Sequence, residues 1–291
     1  MPELPEVETI ARGVDRRIRG DRIIEVWFSS YSQPFKTPPA QQASGLAGCV
    51  ILAVHRTGKH IVFELSRARA KAKPHRQDGP PHREKGARPD AQWIVHLGMT
   101  GRLLVTTPDA PLAPHTHARL ALDSGLELRF VDPRRFGRLE LRRLSTRTAF
   151  AAPGSEPLEI DSEEFAALFR SRRLPIKAAL LNQTLIAGVG NIYADESLFG
   201  AGIRPRRRTN RISRAEYSRL WTRLREVLRR AIRMGGSSVS DYVGADGERG
   251  FFQLQHSVYQ RTGEPCRRCE TPIRRALVAG RGTHYCPKCQ R

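Results

Sequence analysis

No apolar run in the 291 residues approaches the roughly 18 that a membrane span requires, and no secretory h-region follows the start. A basic amphipathic segment and a lipidation signal are missing as well, so a membrane surface has nothing to hold. These absences predict a cytosolic chain. Acid is the scarce charge: 29 Asp and Glu stand against 50 Lys and Arg, a formal +21 with a pI near 10.9. That excess points to nucleic acid, because neutralised phosphates release counterions and favour binding; a merely soluble basic protein is the bland alternative. Cysteine is sparse too, five in all, four of them clustered at the C-terminus. Cytosolic thiols stay reduced, so the cluster suggests metal rather than disulfides. Cys49, alone in the apolar stretch GCVILAV, reads as a buried strand residue. A hydrophobic share of 39% with regular patterning argues against disorder, and the length suffices for two domains with their own cores.

The chain opens MPELPEVETI, and a helix is expected from Pro5 to about Arg19, with Pro5 at a first helical position and Glu6 and Glu8 at the positive end of its dipole. The first half then reads as β-structure. RIIEVWF, CVILAVHR, HIVFEL, QWIVHL, GRLLVTT, HARLAL, LELRFV and GRLELRR are short, rich in β-branched residues and separated by Gly, Pro or polar stretches, which predicts a two-layer sandwich or barrel. Arg67–Asp90 interrupts them with eight basic and three acidic residues and no periodicity, and is expected to be a flexible basic insertion. From about Asp161 the pattern turns helical. DSEEFAALFR opens with capping residues; Ser213 and Glu216 form a capping-box signature. Tyr217, Leu220, Trp221, Leu224, Val227 and Leu228 follow at helical spacing until Gly235-Gly236. The arginines of that helix read as a solvated face. SSVSDYVGADGERGFFQ is too long for an ordinary connection and is a candidate binding loop.

At the C-terminus Cys266 and Cys269 form one CxxC, and Cys286 and Cys289 another, sixteen residues on. Two thiolate pairs at that spacing can close a tetrahedral zinc site. A closed four-thiolate shell leaves no open position, so the zinc is expected to be structural. Arg274, Arg275 and Arg281 lie between the knuckles, placed to reach phosphates. In IAGVGNIYADE, Gly188 and Gly190 permit close backbone approach and Asn191 can meet a phosphate at a helix start, although a plain glycine turn between packed helices looks the same. HLGMTG and DPRRFG put Met99, Arg134 and Phe136 on turns, either as edge-of-core residues or as a wedge for a base stack. Removal of Met1 would expose a secondary amine at Pro2. An α-amino group titrates near 7.7–8.0, about two and a half units below lysine, so a useful fraction is nucleophilic at neutrality. Attack on a sugar C1′ would give an iminium that favours loss of the 3′ phosphate, with Glu3 placed to shuttle protons.

MPELPEVET, HLGMTGRL, DPRRFG, AGVGNIYADE and the paired CxxC, in this order, resemble bacterial formamidopyrimidine-DNA glycosylase over the whole chain except the Arg67–Asp90 insertion. The resemblance implies an α+β multidomain fold: an N-terminal β-sandwich with a leading helix (1–150), a helix-two-turn-helix domain (151–255) and a C-terminal zinc-finger β-hairpin (256–291), with DNA bound in the cleft. It implies a bifunctional, monomeric enzyme acting on double-stranded DNA in the bacterial cytoplasm, on the nucleoid. Such an enzyme excises 8-oxoguanine and formamidopyrimidines and cleaves abasic strands by β- and δ-elimination, with one structural zinc and no organic cofactor. Pro2 then looks like the Schiff-base nucleophile, Glu3 the proton donor, and Glu6 the second carboxylate. Lys59 looks like the lysine of β-elimination, and Arg281 like the zinc-finger arginine of δ-elimination. His115, Arg134, Arg172 and Asn191 fall where the family contacts DNA. Met99, Arg134 and Phe136 resemble the triad that fills the gap left by the extruded base, Arg134 reading the orphaned cytosine. Ser237–Gln253 resembles the segment that closes over the lesion. Endonuclease VIII, which prefers oxidised pyrimidines and shares Pro2, Glu3 and the zinc finger, is the nearer rival; Leu4 and the Met99 and Arg134–Phe136 loops favour the purine branch. A non-enzymatic zinc-ribbon DNA binder is the rival from another class.

Overall fold

The computed structural model describes residues 1–67, 88–237, 244–245 and 250–291. Residues 68–87 of the insertion expected at Arg67–Asp90, and residues 238–243 and 246–249 of the loop expected at Ser237–Gln253, lie outside them. The chain divides into two compact units. One comprises Met1–Pro2, Val7–Ala151 and residues 244–245; the other comprises Glu3–Glu6, residues 152–237 and Gly250–Arg291, described residues only. Among the described residues no helix is long and apolar enough to cross a membrane.

All eight expected strands form. β1 (Ile23–Phe28), β6 (Thr116–Leu122), β7 (Glu127–Val131) and β5 (Arg102–Thr106) make one antiparallel sheet in the order β1-β6-β7-β5. β2 (Val50–Thr57), β3 (His60–Ser66), β4 (Ala91–His96) and β8 (Arg138–Arg143) make the other in the order β2-β3-β4-β8. Their inward residues, among them Phe63, Trp93, Val95, Leu120, Leu128 and Phe130, share one core, which makes the pair a sandwich. α1 (Leu4–Ile18) buries Val7, Ile10, Ala11, Val14 and Ile18 in that core, one stripe at helical spacing. Glu8 pairs with Arg12 and Arg56. Glu6 turns inward instead of serving the helix dipole. Cys49 is buried as expected but sits just before β2, its Sγ donating to the Gly45 carbonyl at 3.2 Å. α2 (Pro39–Leu46) carries too few apolar residues to announce itself; Gln42 anchors it, its Nε2 donating to the Thr37 and Leu139 carbonyls and its Oε1 accepting from Trp93 Nε1.

The second unit is helical. α6 (Arg214–Arg233) carries the expected capping box, Ser213 with Glu216, and α3 (Ser162–Arg170), where only capping residues were expected, carries a full box on Asp161 with Glu164. Tyr217, Leu220, Leu224 and Leu228 form the buried face of α6, and two left-handed glycines, Gly235 and Gly236, end it. α4 (Ile176–Leu181) and α5 (Asn191–Ala201) are joined by residues 182–190, where the Leu185 and Ile186 N–H groups donate to the Asn182 carbonyl at 3.0 and 3.1 Å. β9 (Arg274–Val278) and β10 (Arg281–Tyr285) close an antiparallel hairpin beyond them.

Candidate active site

The glycines of AGVGN make room for the start of the chain. A Cβ on Gly190 would lie 2.2 Å from Glu3 Cδ, and one on Gly188, whose φ is +81°, would lie 2.8 Å from Leu4 Cβ. The Leu4 N–H donates to the Gly188 carbonyl at 3.0 Å. Glu3 is 5% exposed, and its carboxylate accepts from the Ile192 and Tyr193 N–H groups at 3.1 and 3.4 Å. These belong to the first turn of α5, where unpaired amides and the helix dipole favour an anion. What lies closest to this turn is Glu3 itself. Asn191 directs Nδ2 to the Gly282 carbonyl at 3.0 Å.

Glu6 is fully desolvated. Its Oε2 accepts from the Glu3 N–H at 2.8 Å, and its Oε1 from the Tyr193 hydroxyl at 2.5 Å and the Ser237 N–H at 2.7 Å. Burial, then the charge of Glu3, pushes its pKa up to about 7. Glu3 and Glu6 are thus paired carboxylates with different environments, the arrangement that separates an acid from a base. The linkage has a definite sign. The folded chain binds the Glu6 proton more tightly than the unfolded one, so this contribution is fully present below about pH 4.5 and is lost as pH rises to about 7. The swing is on the order of 3 kcal/mol. Glu6→Gln is expected to flatten that decline when urea unfolding of both proteins is compared at pH 5 and pH 8; parallel curves would refute it.

Sequence reasoning missed a buried ion pair. Lys177 on α4 and Asp195 on α5 are both 0% exposed, Nζ to Oδ1 2.7 Å. Lys177 Nζ also donates to Thr283 Oγ1 at 2.8 Å and to the Gly282 carbonyl at 3.1 Å, and Asp195 Oδ2 accepts from the His284 N–H at 2.8 Å. Burial lowers the Lys177 pKa and the Asp195 charge opposes it. The strand that begins with the exposed Arg281 is therefore tied to both helices. Breaking such a pair leaves a buried charge uncompensated, so Lys177→Met is expected to destabilise the protein by about 3–5 kcal/mol in chemical denaturation. The only sequence signal was a lysine inside IKAALL, which a solvated helix face would also produce.

In the first unit, Pro2 and Lys59 are buried, Lys59 in the turn between β2 and β3. Met99 and Phe136 stand 43% and 46% exposed, and the Arg134 guanidinium lies 4.7 Å from the Phe136 ring centroid. A Cβ on Gly98 would meet the Phe136 carbonyl carbon at 2.5 Å, so the two turns abut and Met99, Arg134 and Phe136 are brought together. His115 is exposed with φ +63°. In the second unit Arg172 lies exposed just beyond α3.

The four cysteines of the paired CxxC converge. Their Sγ atoms all lie within 4.8 Å of one another, with pairs at 3.3, 3.5 and 3.9 Å. A tetrahedral zinc with Zn–S of about 2.3 Å spaces its sulfurs about 3.8 Å apart, so the donor set fits. The Arg268 and Cys289 amides donate to Cys266 and Cys286 Sγ at 3.4 Å each, the backbone support a thiolate cluster needs. Phe199, Val258 and Ile273 pack beneath. Arg274, Arg275 and Arg281 stand exposed on the hairpin above.

Comparisons with known proteins follow this geometry. Residues 1–139 match the formamidopyrimidine-DNA glycosylase N-terminal domain, 152–243 the H2TH domain of the same glycosylase, and 263–291 the zinc finger found in FPG and IleRS. The chain is 45% identical over 291 residues to a formamidopyrimidine-DNA glycosylase of Solibacter usitatus, covering all of both chains. It is 40% identical to one of Thioalkalivibrio sulfidiphilus, again covering both chains entirely. Among solved structures, it resembles a Lactococcus lactis FPG variant bound to Fapy-dG-containing DNA, with TM-score 0.83, 34% identity and full coverage of both chains. It also resembles the MutM protein of Thermus thermophilus, with TM-score 0.80, 38% identity and coverage of 99% and 98%.

Proposed function

Matched from end to end in this way, the chain belongs to the formamidopyrimidine-DNA glycosylase family, and we propose that it excises 8-oxoguanine and formamidopyrimidines from duplex DNA and then cuts the abasic strand by β- and δ-elimination. The observation that supports this best is the seating of Glu3. The residue next to the proposed nucleophile is held, desolvated, against the first turn of α5 in a cradle that only glycine at 190 permits.

In this mechanism the Pro2 nitrogen, freed by removal of Met1, attacks C1′ and the glycosidic bond breaks, its electron pair leaving with the base. Glu3 supplies the proton that opens the sugar. The resulting iminium acidifies C2′. The C2′ proton leaves to a base, the C–H electrons form the C2′–C3′ double bond, the C3′–O bond breaks and the 3′ phosphate departs. A second elimination, with loss of the C4′ proton, expels the 5′ phosphate. Lys59 assists the first elimination and Arg281 the second. Glu6, about half protonated at neutrality and more fully so below it, lessens the negative charge beside Glu3. His115, Arg134, Arg172 and Asn191 hold DNA, while Met99, Arg134 and Phe136 fill the gap left by the flipped nucleotide, whose extrusion costs a few kcal/mol. Cys266, Cys269, Cys286 and Cys289 hold one structural zinc, which cross-links the hairpin and takes no part in the chemistry. We take residues 1–150, 151–255 and 256–291 as catalytic, helix-two-turn-helix and zinc-finger domains, acting on the bacterial nucleoid in the cytoplasm.

Borohydride trapping on an 8-oxoguanine duplex, with intact-mass analysis of the protein, tests this reading. A covalent adduct mapped to Pro2 of a chain lacking Met1 is expected. Full nicking of the duplex by a chain that retains Met1 would overturn it.

A further inference from the structure

Asp132 is fully buried and has no part in the chemistry above. It occupies the point where three loops meet. The crossover from β4 to β5 carries Met99; the crossover from β7 to β8 carries Arg134 and Phe136; the approach to β6 carries His115. Each crossover passes from one sheet of the sandwich to the other, so neither loop is fixed by a ladder partner at its tip.

Asp132 holds all three. Its Oδ1 accepts from the Thr100 hydroxyl at 2.7 Å, next to Met99, and its Oδ2 accepts from the Gly137 N–H at 2.7 Å, next to Phe136. Its own N–H donates to the His115 carbonyl at 3.0 Å, and its carbonyl accepts from His117 Nε2 at 3.1 Å. That assignment leaves His117 Nδ1 to accept from the Ser29 hydroxyl at 3.0 Å, and burial keeps the ring neutral by lowering its pKa. His96 Nδ1 accepts from the Gly98 N–H at 3.1 Å on the other flank of Met99. The held segments are not relaxed ones: His115 and Arg135 have φ of 63° and 54°, a conformation that L side chains adopt at a cost. A carboxylate binding two neighbouring loops through separate oxygens fixes their spacing as well as their positions.

We propose that Asp132 is the positioning residue of the wedge: it sets the separation of Met99 from Arg134 and Phe136 before DNA arrives. The three tips then enter the base stack as one preformed body, and Arg134 meets the orphaned base in a fixed pose. This rests on the reading of Met99, Arg134 and Phe136 as the void-filling group.

Thr100→Val removes one of the two clips while keeping the shape; Asp132→Asn keeps the volume but turns a donor toward one of two donors. Wedge insertion is read by stopped-flow fluorescence of 2-aminopurine beside an 8-oxoguanine, together with the ratio of excision opposite cytosine and opposite adenine. Thr100→Val is expected to slow insertion by about tenfold, the usual weight of a hydrogen bond to a charged group, and to narrow the cytosine-to-adenine ratio. Asp132→Asn should do more. Cleavage of a preformed abasic site should fall by much less, and adding Thr100→Val to Met99→Ala should slow insertion no further than Met99→Ala alone, because the clip acts through Met99. Wild-type insertion and discrimination in Thr100→Val would overturn the proposal. So would equal losses at every step, or strict additivity with Met99→Ala, which mark a framework residue. If Met99→Ala and Phe136→Ala leave insertion unchanged, the wedge reading itself fails and this proposal falls with it; a slow Met99→Ala beside a wild-type Thr100→Val removes Asp132 alone.

Discussion

Glu3→Gln is expected to lose base excision by about a hundredfold to ten-thousandfold, the range over which a positioned general acid or base contributes, while binding lesion DNA with nearly unchanged affinity. The substitution is nearly isosteric. A glutamine carbonyl can still accept from the Ile192 N–H, but its amide cannot accept from Tyr193, and the negative charge at the start of α5 disappears. The consequence reaches Glu6. Part of the upward push on the Glu6 pKa is the charge of Glu3, so the variant should lower that pKa and reduce the stability decline between pH 4.5 and 7. Single-turnover excision on an 8-oxoguanine duplex and fluorescence anisotropy separate chemistry from binding, and full turnover by the variant would refute the role. Gly190→Ala offers an independent route to the same defect, since its Cβ would occupy the space of Glu3 Cδ. Pro2→Gly contrasts with both: it replaces a secondary amine by a primary one and should retain some chemistry.

The strands, α1, α6, the Ser213–Glu216 capping box and the cysteine cluster were legible because each is a local pattern: alternation, helical spacing, a cap three residues from its partner, a pair of CxxC. What escaped is held by partners far apart in sequence. Gln42 anchors α2 through Leu139 and Trp93, and Lys177 meets Asp195 and Gly282; a polar residue in either segment reads the same whether buried and paired or solvated. Asp132 was visible only as the first letter of DPRRFG. The glycines at 188 and 190 suggested room for a ligand, but nothing local could say that Glu3 and Leu4, far away at the start of the chain, would fill the space. Motif resemblance pointed to Glu3 and Glu6, and geometry adds that one is a partner of helix amides while the other holds its proton to about pH 7.

Removal of zinc is expected to cost DNA affinity by about a hundredfold or more and to stop the strand reaction at β-elimination. A two-stranded hairpin is marginal by itself in water, and among the described residues five buried ones, Phe199, Val258, Cys266, Ile273 and Cys286, form the core beneath this one. Two of those five are ligands, so the metal and the core fail together. A structural zinc site of this kind contributes about 10–16 kcal/mol of apparent binding energy to folding, far more than that core can supply. Loss of the hairpin disperses Arg274, Arg275 and Arg281, and each phosphate contact given up lowers the slope of log K against log salt by about 0.9. The damage is not confined to the surface. Lys177 would lose Thr283 Oγ1 and the Gly282 carbonyl, and Asp195 the His284 N–H, so the buried pair between α4 and α5 would be left under-satisfied and thermal unfolding should begin earlier. Chelation with metal content verified, anisotropy over a salt series, and separation of β- from δ-elimination products on abasic DNA together read these effects. Cys269→Ser provides the same defect without a chelator. Undiminished affinity and intact δ-elimination in a verified zinc-free sample would show that the arginines grip DNA without the fold that places them.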